Sequence, residues 1–255
     1  MQKLLIISKK SLGDIILQTG VIQALKEAHP RMQITVACDA RNASAIVKHP
    51  DVAEVLPLTL KGEQAAGFLS VLKTIRSKKF DAVLTFGRDS QACLWGFLAR
   101  IKMRVGVRNQ PLKFLLTRTA IEHASEINSF EFYHKLGALV SPQLKAQYPT
   151  ISVDKQEVGR LRNQLFKLRL SRRFIIWHIG SSIEEKRYPV FQIIETLRLF
   201  KKKRIIHPVL FAAGPGDEAF IAELENAVRT SDLKSMKVFF ADEIDFSATA
   251  ALFTL

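Results

Sequence analysis

The chain has 255 residues, 47% of them hydrophobic and 24% charged, a balance that suits a globule with a sizeable buried core and excludes a mainly disordered chain. That length exceeds the common domain of about 100–200 residues and admits two units. The net charge of +14 is uneven: residues 1–171 hold 26 Lys+Arg against 13 Asp+Glu, and residues 172–255 hold 12 against 11. A basic first part gathers polyanions such as nucleic acid, an anionic membrane or a phosphorylated substrate, unless it is only a solvated face.

The chain opens on Leu4-Leu5-Ile6-Ile7, an apolar run closed at once by Ser8-Lys9-Lys10. It is too short for a signal-peptide core and far below the ~18 residues of a membrane span. A strand is expected at 4–7 and a helix at 15–28, where Ile15, Ile16, Thr19, Ile22 and Leu25 recur at helical steps. Alternation continues through strands at 34–38 and 52–58, a helix at 64–77, a strand at 82–86, a helix at 90–100 and a strand near 104–107. Buried parallel strands read this way. A helix at 130–140 leads into Ser141-Pro142 to Tyr148-Pro149, whose two prolines break the periodicity, and the linker is expected there. The domains are therefore read as 1–150 and 151–255.

The second alternation comprises helices near 155–169, 190–202, 217–229 and 246–255 and strands at 174–179, 208–213 and 237–241. Only three strands are available to this sheet, fewer than the usual 5 or so, and a second unit that stops short is expected. Cys38 and Cys93 show neither metal-ligand nor CxxC spacing, which points to reduced thiols and a cytoplasmic setting.

In open parallel sheets ligands bind beyond the carboxyl ends of the strands, and three strand-to-helix turns merit attention. The first is Ser8-Lys9-Lys10-Ser11-Leu12-Gly13-Asp14. Ser11 is placed to cap the helix, Gly13 to allow a tight backbone, and Asp14 to sit in the first turn, where the dipole favours an anion or where a carboxylate serves as general base. The second, His178-Ile179-Gly180-Ser181-Ser182 through Lys186-Arg187-Tyr188-Pro189, offers close backbone approach at Gly180, hydroxyls and amides for phosphate oxygens, and an offsetting Lys186. It is not a P-loop, and an ordinary serine turn with a solvated Lys-Arg pair reads equally well. The third, Gly214-Pro215-Gly216-Asp217-Glu218, is a strong turn whose acidic residues cap the next helix or accept from a ribose diol.

Taken in order, Ser11-Leu12-Gly13-Asp14, Ala24-Leu25-Lys26 to Pro30, Gly180-Ser181-Ser182 with Lys186-Arg187-Tyr188-Pro189, and Gly214-Pro215-Gly216-Asp217 resemble glycosyltransferase family 9, the ADP-heptose:lipopolysaccharide heptosyltransferases. The resemblance implies an α/β chain of GT-B type: two Rossmann-like domains with parallel sheets, an acceptor-binding domain first and a nucleotide-sugar-binding domain second. It implies an inverting transfer of heptose from an ADP-sugar to a lipid A or inner-core acceptor, with no metal or other cofactor. Asp14 is then the base, Ser181, Ser182 and Lys186 hold the donor diphosphate, Asp217 contacts the nucleoside side, and Gly13, Gly180 and Gly214 keep the loops open. Lys9, Lys10, Lys61, Arg88 and Arg108 are the candidate acceptor contacts in the basic half.

This chain departs from the family pattern at Ser8 (usually Arg), Lys10 (a small or hydroxyl residue), Gly20 (Pro) and Tyr188 (Trp). An Asp-Ser/Thr-Gly-x-x-His-hydrophobic-Ala motif that follows in the family is not in the sequence, so weak or no transfer is expected of the chain as it stands. Other readings are a nucleotide-sugar epimerase or different sugar transferase on the same fold, and a non-catalytic basic module. Partners expected are a nucleotide sugar, an anionic lipid-linked acceptor and, peripherally, the inner-membrane surface. Nucleic acid is disfavoured because aromatics do not interleave with the basic residues.

Overall fold

A computed structural model describes residues 1–58, 67–121, 128–167, 170, 173–181, 184–214, 216–241 and 246–254, apart from the side chains of Arg41, Ala241 and Phe246. It divides into two units, Met1–Ser152 and Val153–Leu255.

Unit 1 carries six parallel strands among the described residues: β1 (Lys3–Ser8), β2 (Gln33–Asp39), β3 (Glu54–Leu58), β4 (Ala82–Thr85), β5 (Met103–Val107) and β6 (Arg118–Ala120). Their spatial order is β3-β2-β1-β4-β5-β6. β1 is central, in register with β2 from Lys3↔Gln33 to Ser8↔Cys38 and with β4 from Leu4↔Ala82 to Ile7↔Thr85. Helices cover both faces, which is why β1 can be apolar at successive positions: Leu4, Leu5 and Ile6 are fully buried and Ile7 nearly so. Each contributes about 1.5–3 kcal/mol relative to exposure. Leu5 and Ile7 share a cluster with Ile75, Trp95 and Ile101, which belongs to the side carrying α2 (Phe68–Lys78) and α3 (Ser90–Leu98). Alternation turns Leu4 and Ile6 to the opposite face. The remaining helices, α1 (Leu12–Ala28) and α4 (Ser129–Val140), contact each other. At its amino end β1 is tied to the residue before β4, since the Asp81 carboxylate accepts from the amides of Gln2 (2.6 Å) and Lys3 (3.0 Å).

The segment expected as a linker is docked on unit 1. The Gln147 amide donates to His134 Nε2 (3.2 Å), its side chain donates to Glu27 (2.7 Å), and the Thr150 amide donates to Thr19 Oγ1 (2.9 Å). His49 closes the end of this strap against Thr150 Oγ1 at 3.2 Å. The strap explains one departure from the family pattern: a Cβ at position 20 would run into the Gln147 carbonyl. Gly20 lets the two backbones approach.

Unit 2 carries three parallel strands among the described residues, β7 (Ile175–His178), β8 (Val209–Ala212) and β9 (Val238–Ala241), in that spatial order. Alternate residues of β8 serve two cores. Val209 and Phe211 meet Ile193 and Leu197 of α6 (Val190–Lys202) and Ile221 and Leu224 of α7 (Glu218–Thr230). Leu210 and Ala212 meet Leu161 and Leu165 of α5 (Lys155–Lys167) and Ala248 and Ala251 of α8 (Phe246–Leu252).

Candidate functional site

In unit 1 the chain runs from β1 outward to β3 and then returns to the other side of β1 for β4, so the strand order reverses between β1 and β4. Crevices at such a switch point are where open parallel sheets bind ligands, beyond the carboxyl ends. The turn after β1 brings Lys9 to Asp14 there, and the turn after β4 brings Gly87 to Asp89.

Asp14 lies in the first turn of α1, half-buried, with each carboxylate oxygen accepting from a hydroxyl. Ser11 Oγ donates to Oδ2 at 2.7 Å, and the Tyr133 hydroxyl of α4 donates to Oδ1 at 2.6 Å. Ser11 occupies the cap position with extended backbone, but its side chain caps no amide: it is spent on Asp14. Tyr133 is 2% exposed and meets Phe86 edge-on at 5.1 Å, so its hydroxyl is aimed by packing from both α4 and the end of β4. Two donors fix the carboxylate plane and leave further lone pairs for a third proton donor. Gly13 is an ordinary helical residue and not a tight turn; nothing lies within 4 Å of where its Cβ would stand, which keeps the surface beside Asp14 open.

The candidate acceptor cations differ in availability. Lys9 is engaged within the turn pair, 3.1 Å from Asp89, donating to Gln91 at 2.5 Å and lying 4.7 Å from the Trp95 ring centroid. Asp89 also caps α3 through the Ala92 amide at 3.0 Å, so Lys9 braces the β4 turn. The Lys10 stem lies against Gly87, and its carbonyl accepts from Asn42 at 3.1 Å. Arg88 and Arg108 are exposed at the ends of β4 and β5. Lys61 lies outside the described residues.

In unit 2, Gly180 and Ser181 follow β7, and a 3-10 turn, Glu184–Lys186, presents Lys186 to solvent. Arg187 is not a free surface cation. Its Nε donates to the Ser181 carbonyl at 3.0 Å and its Nη2 to Asp217 Oδ1 at 2.7 Å. Asp217, 7% exposed, stands at the start of α7 without capping it and fills the space beside Gly180, where a Cβ would collide with its Oδ2. Glycine is needed at 180 for this closeness, and at 216 for a φ of +92°. Nothing crowds a Cβ at Gly214. The Gly216 amide donates to Glu218, which with Glu218's own amide holds that carboxyl below its usual range. Tyr188, where the family pattern has Trp, sets its ring 5.9 Å from Trp177. Ser182 and Pro215 lie outside the described residues. A groove of about 710 Å³ opens beside Arg187 between α6 and α7, but Ser181 and Lys186 do not line it.

Both thiols are buried and free, and burial pushes Cys38 and Cys93 up to about 11, which makes them inert. No group of three or more His, Cys, Asp or Glu among the described residues is arranged to hold a metal, and no helix among them is long and apolar enough to cross a membrane.

Sequence reasoning missed Tyr133 and the Arg187–Asp217 pair. Tyr133 is 119 residues from Asp14 and carries no local signal, whereas Arg187 and Asp217 both sat inside motifs that had drawn attention.

Two Rossmann-like units with helix-covered parallel sheets define a GT-B type fold. No family model matches the chain. It is 25% identical over 213 residues to lipopolysaccharide heptosyltransferase 1 of Campylobacter coli, covering 79% of this chain and 61% of the relative. Among solved structures it matches a glycosyltransferase family 9 protein from Veillonella parvula (TM-score 0.82, 18% identity, 98% of this chain and 72% of that one). It also matches the ADP-heptose lipopolysaccharide heptosyltransferase II of E. coli (TM-score 0.76, 18% identity, 99% and 76%). The resemblance to family 9 glycosyltransferases is thus borne out, and the chain spans about three-fifths of the Campylobacter relative's length.

Proposed function

We propose that this chain serves an inverting glycosyl transfer, in which unit 2 holds an ADP-sugar of heptose type and unit 1 presents the base to a lipid A or inner-core hydroxyl. The observation that carries the reading is Asp14: a half-buried carboxylate at the switch point, held by two hydroxyls and open on one side. In the transfer, Asp14 takes the proton as the acceptor oxygen bonds to the anomeric carbon, and the bond from that carbon to the diphosphate oxygen breaks. ADP leaves, and the configuration inverts.

Ser181 and Lys186 meet the diphosphate in this reading, with Ser182 beside them in sequence. Asp217 meets the nucleoside side of the donor in this reading, and its carboxylate also holds Arg187 and the Gly180 loop in place. Arg88, Arg108 and Lys10 face the anionic acceptor, while Lys9 supports them through Asp89. The ADP preference draws on the E. coli relative, whose name specifies ADP-heptose. Work at a lipid-linked acceptor further implies peripheral contact with the cytoplasmic face of the inner membrane. No metal enters the proposal.

The test is calorimetry with ADP and UDP, together with transfer by the whole natural protein carrying Asp14→Asn. We expect ADP to bind and UDP to bind more weakly, with transfer falling by at least ~100-fold in the variant. Preference for UDP, or near-normal transfer by a folded Asp14→Asn protein, overturns the reading.

A further inference from the structure

Residues 90–121 contain six Lys and Arg and no Asp or Glu. Within that stretch four large apolar side chains stand in solvent: Phe97 (48% exposed) and Leu98 (38%) at the end of α3, Phe114 (74%) in the 3-10 turn Lys113–Leu115, and, apart from these, Ile121 (37%) just past the carboxyl end of β6. Arg104 joins the two segments. Its guanidinium lies 5.8 Å from the Phe97 ring centroid, while Nε donates to the Leu115 carbonyl and Nη1 to that of Ile101, both at 2.5 Å. Phe97 and the Phe114 turn are therefore neighbours, held by a cation whose Nε and Nη1 are engaged inside the protein.

The cations around them point outward. Arg100 is exposed just past α3 in left-handed backbone (φ 59°), and Lys113 is exposed beside Phe114. Lys102 is exposed too but senses the Asp81 carboxylate, so it adds less. α3 runs from the carboxyl end of β4 back toward the start of β5, which puts its last turn at the amino end of the sheet. The Asp14 turn is at the other end, so this surface is not part of the site described above.

Apolar side chains ringed by cations and free of nearby acids in sequence suit one environment in particular. At an anionic bilayer, aromatic and aliphatic groups enter the headgroup boundary while each Lys or Arg gains roughly a five-fold preference from the surface potential. A protein partner would more often present, or demand, mixed charge, and a nucleic acid would leave Leu98 without use. We propose that Phe97, Leu98 and Phe114, with Arg100 and Lys113, dock unit 1 on an anionic lipid surface. This deepens the peripheral-membrane part of the proposed function and rests on that reading for why a membrane is met.

The test is co-sedimentation with phosphatidylcholine vesicles, with and without about one-third phosphatidylglycerol. The unsubstituted chain should partition onto the anionic vesicles and much less onto the neutral ones. Phe97→Ser with Phe114→Ser, and separately Arg100→Gln with Lys113→Gln, should each lower that partition by roughly ten-fold or more, with circular dichroism unchanged. ADP binding should be the same in all forms. Absence of binding to anionic vesicles, or binding retained by both double variants, overturns the proposal. So does a dimer in light scattering that the Phe variants dissolve while vesicle binding is absent. Loss of ADP binding alone would instead remove the transferase reading and leave the docking surface standing.

Discussion

At the scale of single residues, the structure turns two motifs into hydrogen-bonded devices. Tyr133 and Ser11 orient Asp14, and a hydrogen bond to a carboxylate contributes about 1.5–3 kcal/mol when its geometry is good. Tyr133→Phe should therefore lower unit 1 stability by about 1–2 kcal/mol and transfer by roughly ten-fold, with ADP affinity unchanged, because a base left free to rotate loses attack geometry and not donor contacts. Equal losses in ADP affinity and turnover would argue against a positioning role. In unit 2, Asp217 has a side chain only 9% exposed, so Arg187→Met leaves a buried carboxylate without its counter-ion. Urea unfolding followed by the fluorescence of Trp177, the one tryptophan in unit 2, should show a loss of about 3 kcal/mol, partly restored by adding Asp217→Asn. Neither device was legible beforehand. Asp14 itself was, because a carboxylate in the first helical turn after a strand has a local signature; the hydroxyl that aims it comes from a helix formed after β6, and only the tertiary fold selects it.

At the scale of elements, most strands and helices were readable because helix cover on both faces demands continuous apolar strands, and α6 matches its expected bounds of 190–202. β6 escaped notice. Arg118, Thr119 and Ala120 form a three-residue strand that among the described residues pairs only with β5, which needs no apolar run and leaves none. The strap was legible as a break in periodicity but not as a docked element, since its contacts are backbone groups meeting Thr19, Gly20 and His134. Gly20→Ala should force Gln147 off α1 and cost about 1–3 kcal/mol, seen as a lower urea midpoint with unchanged slope. His49 makes the same strap sensitive to acid. Burial holds its imidazole below the usual 6.5, against the opposing pull of Asp51. The folded state thus disfavours the proton that the unfolded chain accepts, so the His49 contribution is complete above about 6.5 and is lost as pH falls through the folded value. Melting temperature should drop between about pH 7.5 and about pH 5, and less so in His49→Gln.

At the scale of the whole molecule, the charge imbalance and the two sheets were visible in composition and periodicity, and the structure adds where unit 1 finishes. Strap contacts reach Thr150, so residues 1–152 should fold alone into a cooperative unit, whereas residues 1–140 should not; thermal unfolding of each piece followed at Trp95 decides. The central position of β1 also bears on synthesis. β1 is made before both of its neighbours, one ending at Asp39 and the other at Thr85, and its amino end is fastened by Asp81. This apolar strand waits for its second partner until the chain has been made as far as Thr85. The nascent chain therefore carries its most adhesive segment exposed during translation, and a trigger-type holding chaperone has its clearest target in residues 3–8.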